Sequence, residues 1–399
     1  MFQDISVFII AVVFVAINGL TMLAWAAAQG YKMKPTAFAF LVGAVGNLLT
    51  GSITPISGQS SILTVSHFMK NMNERIAALL IAVIVMIPLG LTGAVTSIAA
   101  FAGVAVVNGM MAGVGLMVAG ISIDMFKQAK RTSAIAFISA LATHVIFFYY
   151  YPSDHRLVYV IAVSVTLATL DFVFLQKDPK TGKRGRRIDI AKEAKKDGYV
   201  GDMKQTENPK FWTKEYWEDF KIMKPKFGFY AFYFALAFIS LNIGTNIAFG
   251  NITAGMGPEG TVQNMDHLTV INSIADIPSV IFGGAPVGAI ISATAAAPWP
   301  VLAGVVMMLF CALLLFLGLM TKAVKYIPVQ AIAGFLFIIG FFSTFVPNLN
   351  SSFGTGYVGQ ASAALAVTAL TKNPFLGLVA GVLVRYVGPY ILAPVFLGG

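Results

Sequence analysis

Four windows of this chain, Ile5–Ala28, Ala77–Phe101, Leu157–Leu175 and Val301–Met320, each hold close to the roughly 20 mostly apolar residues that carry a helix across a bilayer. Backbone inside hydrocarbon must satisfy its own polar groups, so windows of this length are confined to membrane helices. The composition agrees. Hydrophobic residues make up 57% and charged residues 11% of the 399, where a soluble domain carries about 25% charged. No basic stretch or small-residue cleavage site precedes the first window, so no cleaved signal peptide is expected. The single cysteine, Cys311, lies in an apolar run and reads as a buried small hydrophobe.

Fourteen membrane segments are predicted, at 4–28, 35–50, 54–68, 76–99, 104–126, 132–151, 156–175, 227–255, 266–282, 286–297, 299–321, 325–346, 358–371 and 374–397. The third and tenth are too short and polar to span alone. Both open on proline and glycine, as Thr54-Pro-Ile-Ser-Gly-Gln-Ser-Ser and Gly284-Ala-Pro-Val-Gly-Ala-Ile-Ile-Ser. Interrupted segments at matching places in two halves mark the binding site of a transporter.

The halves match in register. Ile17-Asn-Gly-Leu-Thr pairs with Leu241-Asn-Ile-Gly-Thr, Thr54-Pro55 with Ala285-Pro286, Leu89-Gly-Leu with Leu317-Gly-Leu, and Ala112-Gly113 with Ala333-Gly334, at offsets of 224, 231, 228 and 221. Seven segments is an odd number, so the second repeat is inverted in the membrane. The expected organisation is a first repeat over 1–175, a basic loop over 176–226 and a second repeat over 227–399.

The net charge of +10 belongs to topology and not to nucleic acid, which is not an expected partner. Loops after odd-numbered segments, with the long loop Gln176–Lys226, hold 25 of the 27 Lys and Arg, leaving Arg156 in an even loop and Arg385 inside the last segment. The positive-inside rule makes the odd loops cytoplasmic and puts both termini outside, in a multi-pass protein of the cell membrane. Within the long loop, Phe211-Trp-Thr-Lys-Glu-Tyr-Trp-Glu-Asp-Phe reads as a short amphipathic helix at the membrane interface, with a regulatory role as the alternative.

Phe282-Gly-Gly-Ala-Pro, Tyr326-Ile-Pro-Val-Gln-Ala-Ile-Ala-Gly and Ala112-Gly-Val-Gly-Leu-Met-Val-Ala-Gly-Ile resemble motifs of the nucleobase–ascorbate transporter family, and Leu241-Asn-Ile-Gly-Thr resembles the eighth helix of its purine-permease branch. The resemblance implies an all-α membrane fold of two inverted seven-segment repeats. Segments 1–4 and 8–11 would form a core, and segments 5–7 and 12–14 a gate. Half-helices 3 and 10 would meet at the midplane after short extended stretches. It also implies a nucleobase substrate driven by H+ or Na+, with no other cofactor and no metal. Homodimers are common in related folds, which makes a second copy an allowed partner beside the solute and the lipid bilayer.

The sequence departs from that family at two places: Leu241 and Ser292 stand where its members carry acids in segments 8 and 10. The candidate substrate-binding set is therefore polar and uncharged: Asn18, Thr21, Gln59, Ser60, Asn242, Thr245, Asn246, Pro286, Ser292 and Thr294. Hydrogen bonding between packed helices is the alternative role of each such residue. Helix N-termini near Gly58 and Gly288 are expected to offer free N–H groups to an anion or a carbonyl. Ionisable residues at membrane depth are usually functional or paired. Asp276 and His144 are the candidates for ion coupling, and Asp171 and Arg385 for a structural ion pair.

Neither a Walker motif, an HExxH sequence nor paired cysteines occur, so no catalytic constellation supports an enzyme. The expected function is an alternating-access permease for a purine-like nucleobase. A carrier of a small inorganic or organic anion on the same fold is the first alternative, and a membrane sensor or scaffold the second.

Overall fold

A computed structural model describes residues 2–58, 69, 71–177, 182, 213–319 and 326–389. Within these, thirteen helices alternate with two very short strands. The first repeat holds α1 (Phe2–Ala28), α2 (Met33–Thr50), β1 (Ile56–Gly58), α3 (Met72–Leu91), α4 (Ala94–Ala102), α5 (Val104–Gln128), α6 (Lys130–Tyr150) and α7 (Arg156–Leu175). The second holds α8 (Phe229–Ala254), α9 (Met265–Ile281), β2 (Val287–Ala289), α10 (Pro300–Phe316), α11 (Val329–Phe353), α12 (Val358–Thr371) and α13 (Pro374–Tyr386).

The packing obeys the exchange of repeats. Helix α2 packs on α10 as α9 packs on α3, and α1 meets α10 as α8 meets α3. In the other half, α5 packs on α12 as α11 packs on α6, and α6 meets α7 as α12 meets α13. These are the core and gate of an inverted-repeat membrane fold. The strands make the symmetry concrete. Their antiparallel register sets Ile56 opposite Ala289, Ser57 opposite Gly288 and Gly58 opposite Val287. Counting 231 positions on from Ile56, Ser57 and Gly58 gives Val287, Gly288 and Ala289. Each outer residue therefore faces its neighbour's counterpart, and the pseudo-twofold axis runs through the Ser57–Gly288 pair.

Close helix approach in the gate depends on glycine. A Cβ on Gly113 would meet the Leu365 carbonyl and Thr368 of α12, and one on Gly334 the Ala136 carbonyl and Ala140 of α6. These are the two residues matched at offset 221, used the same way in each repeat.

Three boundaries differ from expectation. The segment expected over 76–99 is two helices, because α3 ends at Leu91 and Gly93 turns the chain with a φ of 75° before α4. Asp266 of α9 then accepts the first N–H groups of α4, from Val95 at 2.9 Å and Thr96 at 3.2 Å. That contact satisfies donors a helix start leaves open. The segment expected to end at 346 runs to Phe353, through a wide π turn over Ile338–Phe345. The wide turn lets the helix pass Pro347, which has no N–H to donate. The tenth segment is not a half-helix: β2 is followed by one 3₁₀ turn, Ala293–Ala296.

The loop helix expected over 211–220 is a single turn, Lys214–Trp217, with a 3₁₀ turn at Glu218–Phe220, docked on the core. Tyr216 is buried and its hydroxyl donates to the Phe316 carbonyl at 2.8 Å. Lys34 pairs with Asp219 at 2.9 Å, and Lys226 with Glu74 at 3.0 Å. The Met223 N–H donates to the Ile281 carbonyl, while Phe38 and Phe220 pack edge to face. Burial holds the Lys32 ammonium below its usual range, with Asp219 pulling the other way. Tyr216 and Phe220, which looked interfacial in sequence, are thus core contacts, while Trp217 is exposed.

Candidate functional site

The strand pair and the turn after it lie between α1 and α8, with the gate helix α7 also touching the turn. Pro55 and Pro286 stand immediately before the strands and hold the residues ahead of them, Thr54 and Ala285, extended, so the chain enters each strand without a helical turn. Pro286 is buried there. Expected free N–H groups at Gly58 and Gly288 are instead inside the paired strands. The Val287 N–H is taken by Asp276 Oδ1 at 2.7 Å and the Ile290 N–H by the Pro55 carbonyl at 3.1 Å.

Ser292 and Thr294 come together on the turn. Ser292 Oγ accepts from the Thr294 N–H at 3.2 Å and lies 2.7 Å from Thr294 Oγ1. Asn242 on α8 is half-buried and donates its amide to the Phe238 carbonyl at 3.0 Å, which leaves its oxygen outside that bond. Thr245 donates back to the Leu241 carbonyl at 2.8 Å. Asn246 has a packing role: it donates to Thr269 Oγ1 at 2.9 Å and accepts from Asn272 at 2.7 Å, tying α8 to α9. Asn18 is half-buried on α1. Thr21 lies on the same helix, with its side chain outside the description, and Gln59 and Ser60 lie outside the described residues.

Sequence reasoning missed Ser57. It is fully buried on the pseudo-twofold axis, against Gly19 of α1, and its Oγ has no hydrogen-bond partner among the described residues. A buried hydroxyl left unpaired is rare and calls for an explanation. Its setting, two residues after Pro55 and beside Gly58, was the available clue. His155, in the turn before α7, was missed as well; its Nδ1 lies 2.6 Å from the Ala296 carbonyl, so it joins gate to core.

Asp276 is buried and bonded through Oδ1 to the start of β2, with no ion pair among the described residues. His144 sits in the gate between Phe148 and Phe342, at ring-centroid distances of 5.8 and 5.1 Å. Asp171 and Arg385 do not pair. Asp171 is held by Arg131, at 2.5 Å from Nη2, and by Gln176 at 2.7 Å. Arg385 donates to the Ala102 and Phe101 carbonyls at 2.7 and 3.4 Å, closing the end of α4. The carboxylate found a nearer cation one helix away, and the guanidinium found the free carbonyls of a helix C-terminus.

No protein-family model and no curated protein matches the chain. Among solved structures, the transmembrane domain of a cyanobacterium bicarbonate transporter, BicA, superposes with a TM-score of 0.51 at 15% identity, covering 96% of this chain and 98% of that one. SLC26A9 gives 0.49 at 11% identity, covering 96% and 64%. The chain shares the fold of the first of these, a multi-pass membrane domain.

Proposed function

We propose that this chain is a secondary transporter of a small inorganic or organic anion, working by alternating access of the core past the gate. The observation that carries it is the chemistry at the strand crossing. Where nucleobase permeases place acids, this chain has Leu241, which is buried and apolar, and Ser292, a hydroxyl. A nucleobase presents N–H donors that a carboxylate would accept. Here the groups around the axis are hydroxyls and amides, led by Ser57 Oγ, which has no partner among the described residues, while the one carboxylate there, Asp276, accepts from the Val287 N–H. Hydroxyls donate to an anion at no cost in proton exchange. The likeness in fold to a bicarbonate transporter supports the same class of solute over the nucleobase expected from sequence motifs.

Asp276 is the coupling group in this reading. Moving one charge against the membrane potential costs about 2.3 kcal/mol per 100 mV. A proton or Na+ taken up on Asp276 cancels the charge of the anion, and the carboxylate is already attached to the strand that lines the site.

The test is uptake into proteoliposomes of radiolabelled bicarbonate, formate, sulfate, uracil and xanthine, under imposed pH or Na+ gradients. Saturable uptake of an anion, lost in Ser292→Leu, is the expected result. Saturable uptake of a nucleobase with none of any anion overturns the proposal. No flux of any solute, together with ligand-induced stabilisation of the protein, would favour the sensor.

A further inference from the structure

Four arginines are described, and three of them have acceptors. Arg75 donates to the Met69 and Gln29 carbonyls, Arg131 to Asp171, and Arg385 to the carbonyls at the end of α4. Arg156 is the exception. Its Nε is shut off from water with no partner among the described residues, and its guanidinium lies 4.8 Å from the centre of the Phe148 ring. By the segment count it is also the one Lys or Arg expected in an even-numbered loop, and it stands at the first residue of α7.

A second orphan stands beside it. His144 is 7% exposed, and its Nδ1 is buried with no partner among the described residues. Its ring stacks on the same Phe148, at 5.8 Å and 16°, so both groups pack on one aromatic ring. The two groups reach Phe148 from different helices: His144 from α6, just before the wide turn Ile146–Tyr150, and Arg156 from the start of α7. The nearest carboxylate in sequence, Asp154, is exposed and forms no ion pair with Arg156. The site thus has a forked cation, a second nitrogen that donates in its Nδ1–H tautomer, and no carboxylate paired with either among the described residues.

We propose that Arg156 and His144 form an oxyanion site in the gate, separate from the strand crossing, for a phosphate group. A guanidinium presents parallel N–H donors that fit phosphate oxygens, and a lipid headgroup or free phosphate supplies the same chemistry. The inference does not depend on the solute carried at Ser57.

Two assays separate the sources. In the first, delipidated protein in detergent is titrated with inorganic phosphate at constant ionic strength while thermal unfolding is followed. In the second, protein exposed to phosphatidylglycerol vesicles is examined by native mass spectrometry for retained lipid. Stabilisation by phosphate assigns a free anion, and retained lipid assigns a headgroup. In either case Arg156→Gln should weaken the effect about tenfold or more, the factor set by a lost charged hydrogen bond. Arg156→Lys keeps the charge but not the fork and should weaken it less, so the comparison stands where Arg156→Gln yields no folded protein. Equal stabilisation and equal lipid retention in the native protein and Arg156→Lys, with His144→Asn also unchanged, overturn the proposal, as does a native protein that binds neither.

Discussion

Ser57 and Gly288 face each other across two antiparallel strands at the point where the repeats meet, and only Ser57 carries a side chain there. The backbone is symmetric and the chemistry is not. Ser57→Ala removes a buried hydroxyl that has no hydrogen-bond partner among the described residues, a change that is neutral or stabilising to the fold. Expected is an unchanged or higher Tm with solute affinity down about tenfold, as for one lost hydrogen bond to a charged ligand. Unchanged affinity would remove Ser57 from the site.

Asp276→Asn separates structure from coupling. The carboxamide oxygen can still accept the Val287 N–H, so the strand stays attached and the protein folds. An amide cannot carry a proton. Gradient-driven accumulation in proteoliposomes should disappear while Tm moves little. Accumulation at the native level would assign coupling elsewhere, with His144 as the next group to test.

Arg131→Ala leaves the buried carboxylate of Asp171 with Gln176 as its one side-chain partner among the described residues, at a cost on the order of 3 kcal/mol for an unpaired buried charge. Arg385→Gln gives up contacts to two carbonyls near the surface, for about 1 kcal/mol. Thermal unfolding in detergent should rank them in that order, and double replacement of Asp171 and Arg385 should be additive because the two do not touch.

Gly334→Leu drives a side chain into the Ala136 carbonyl of α6, and Gly113→Leu does the same to α12. Overpacking of this kind costs about 1–3 kcal/mol or more. Both variants should lose thermal stability by similar amounts, since the contacts are related by the repeat. A tolerant Gly334 beside an intolerant Gly113 would show that the gate halves are not equivalent.

Orientation is testable because Cys311 is buried and gives little background. Single cysteines at Lys127 and Lys372 should react with an impermeant reagent only from the cytoplasmic side, and one at Glu259 only from outside. The reverse pattern would invert the topology and leave the fold as it stands.

The spans were legible because hydrocarbon demands long apolar runs, and α7 and α12 begin and end where hydropathy put them. The duplication was legible from short matches such as Ala112-Gly113 and Ala333-Gly334, since both glycines answer to the same steric need. Hydropathy fails where a helix carries on through polar residues: Asn348 and Asn350 hide the last turns of α11, which Asn348 supports by bonding the Thr344 carbonyl. It fails again over the tenth segment, where small residues suit a strand and a 3₁₀ turn as well as a half-helix. Around the strand crossing, residue type pointed to Ser292 and Thr294, which the fold brings together on one turn, but it could not tell Asn246, which is spent on helix packing, from Ser57, which has no partner among the described residues. Partners of long charged side chains, such as Arg131 for Asp171, are set by three-dimensional neighbours that spacing does not encode.

The docked strap after Thr213 has a mechanical consequence. Because Tyr216, Asp219 and Lys226 fasten it to α10, α2 and α3, it belongs to the core and would travel with it. None of these contacts has to break when the core moves past the gate. The contact between His155 Nδ1 and the Ala296 carbonyl spans core and gate, so it is a catch that such a movement must release.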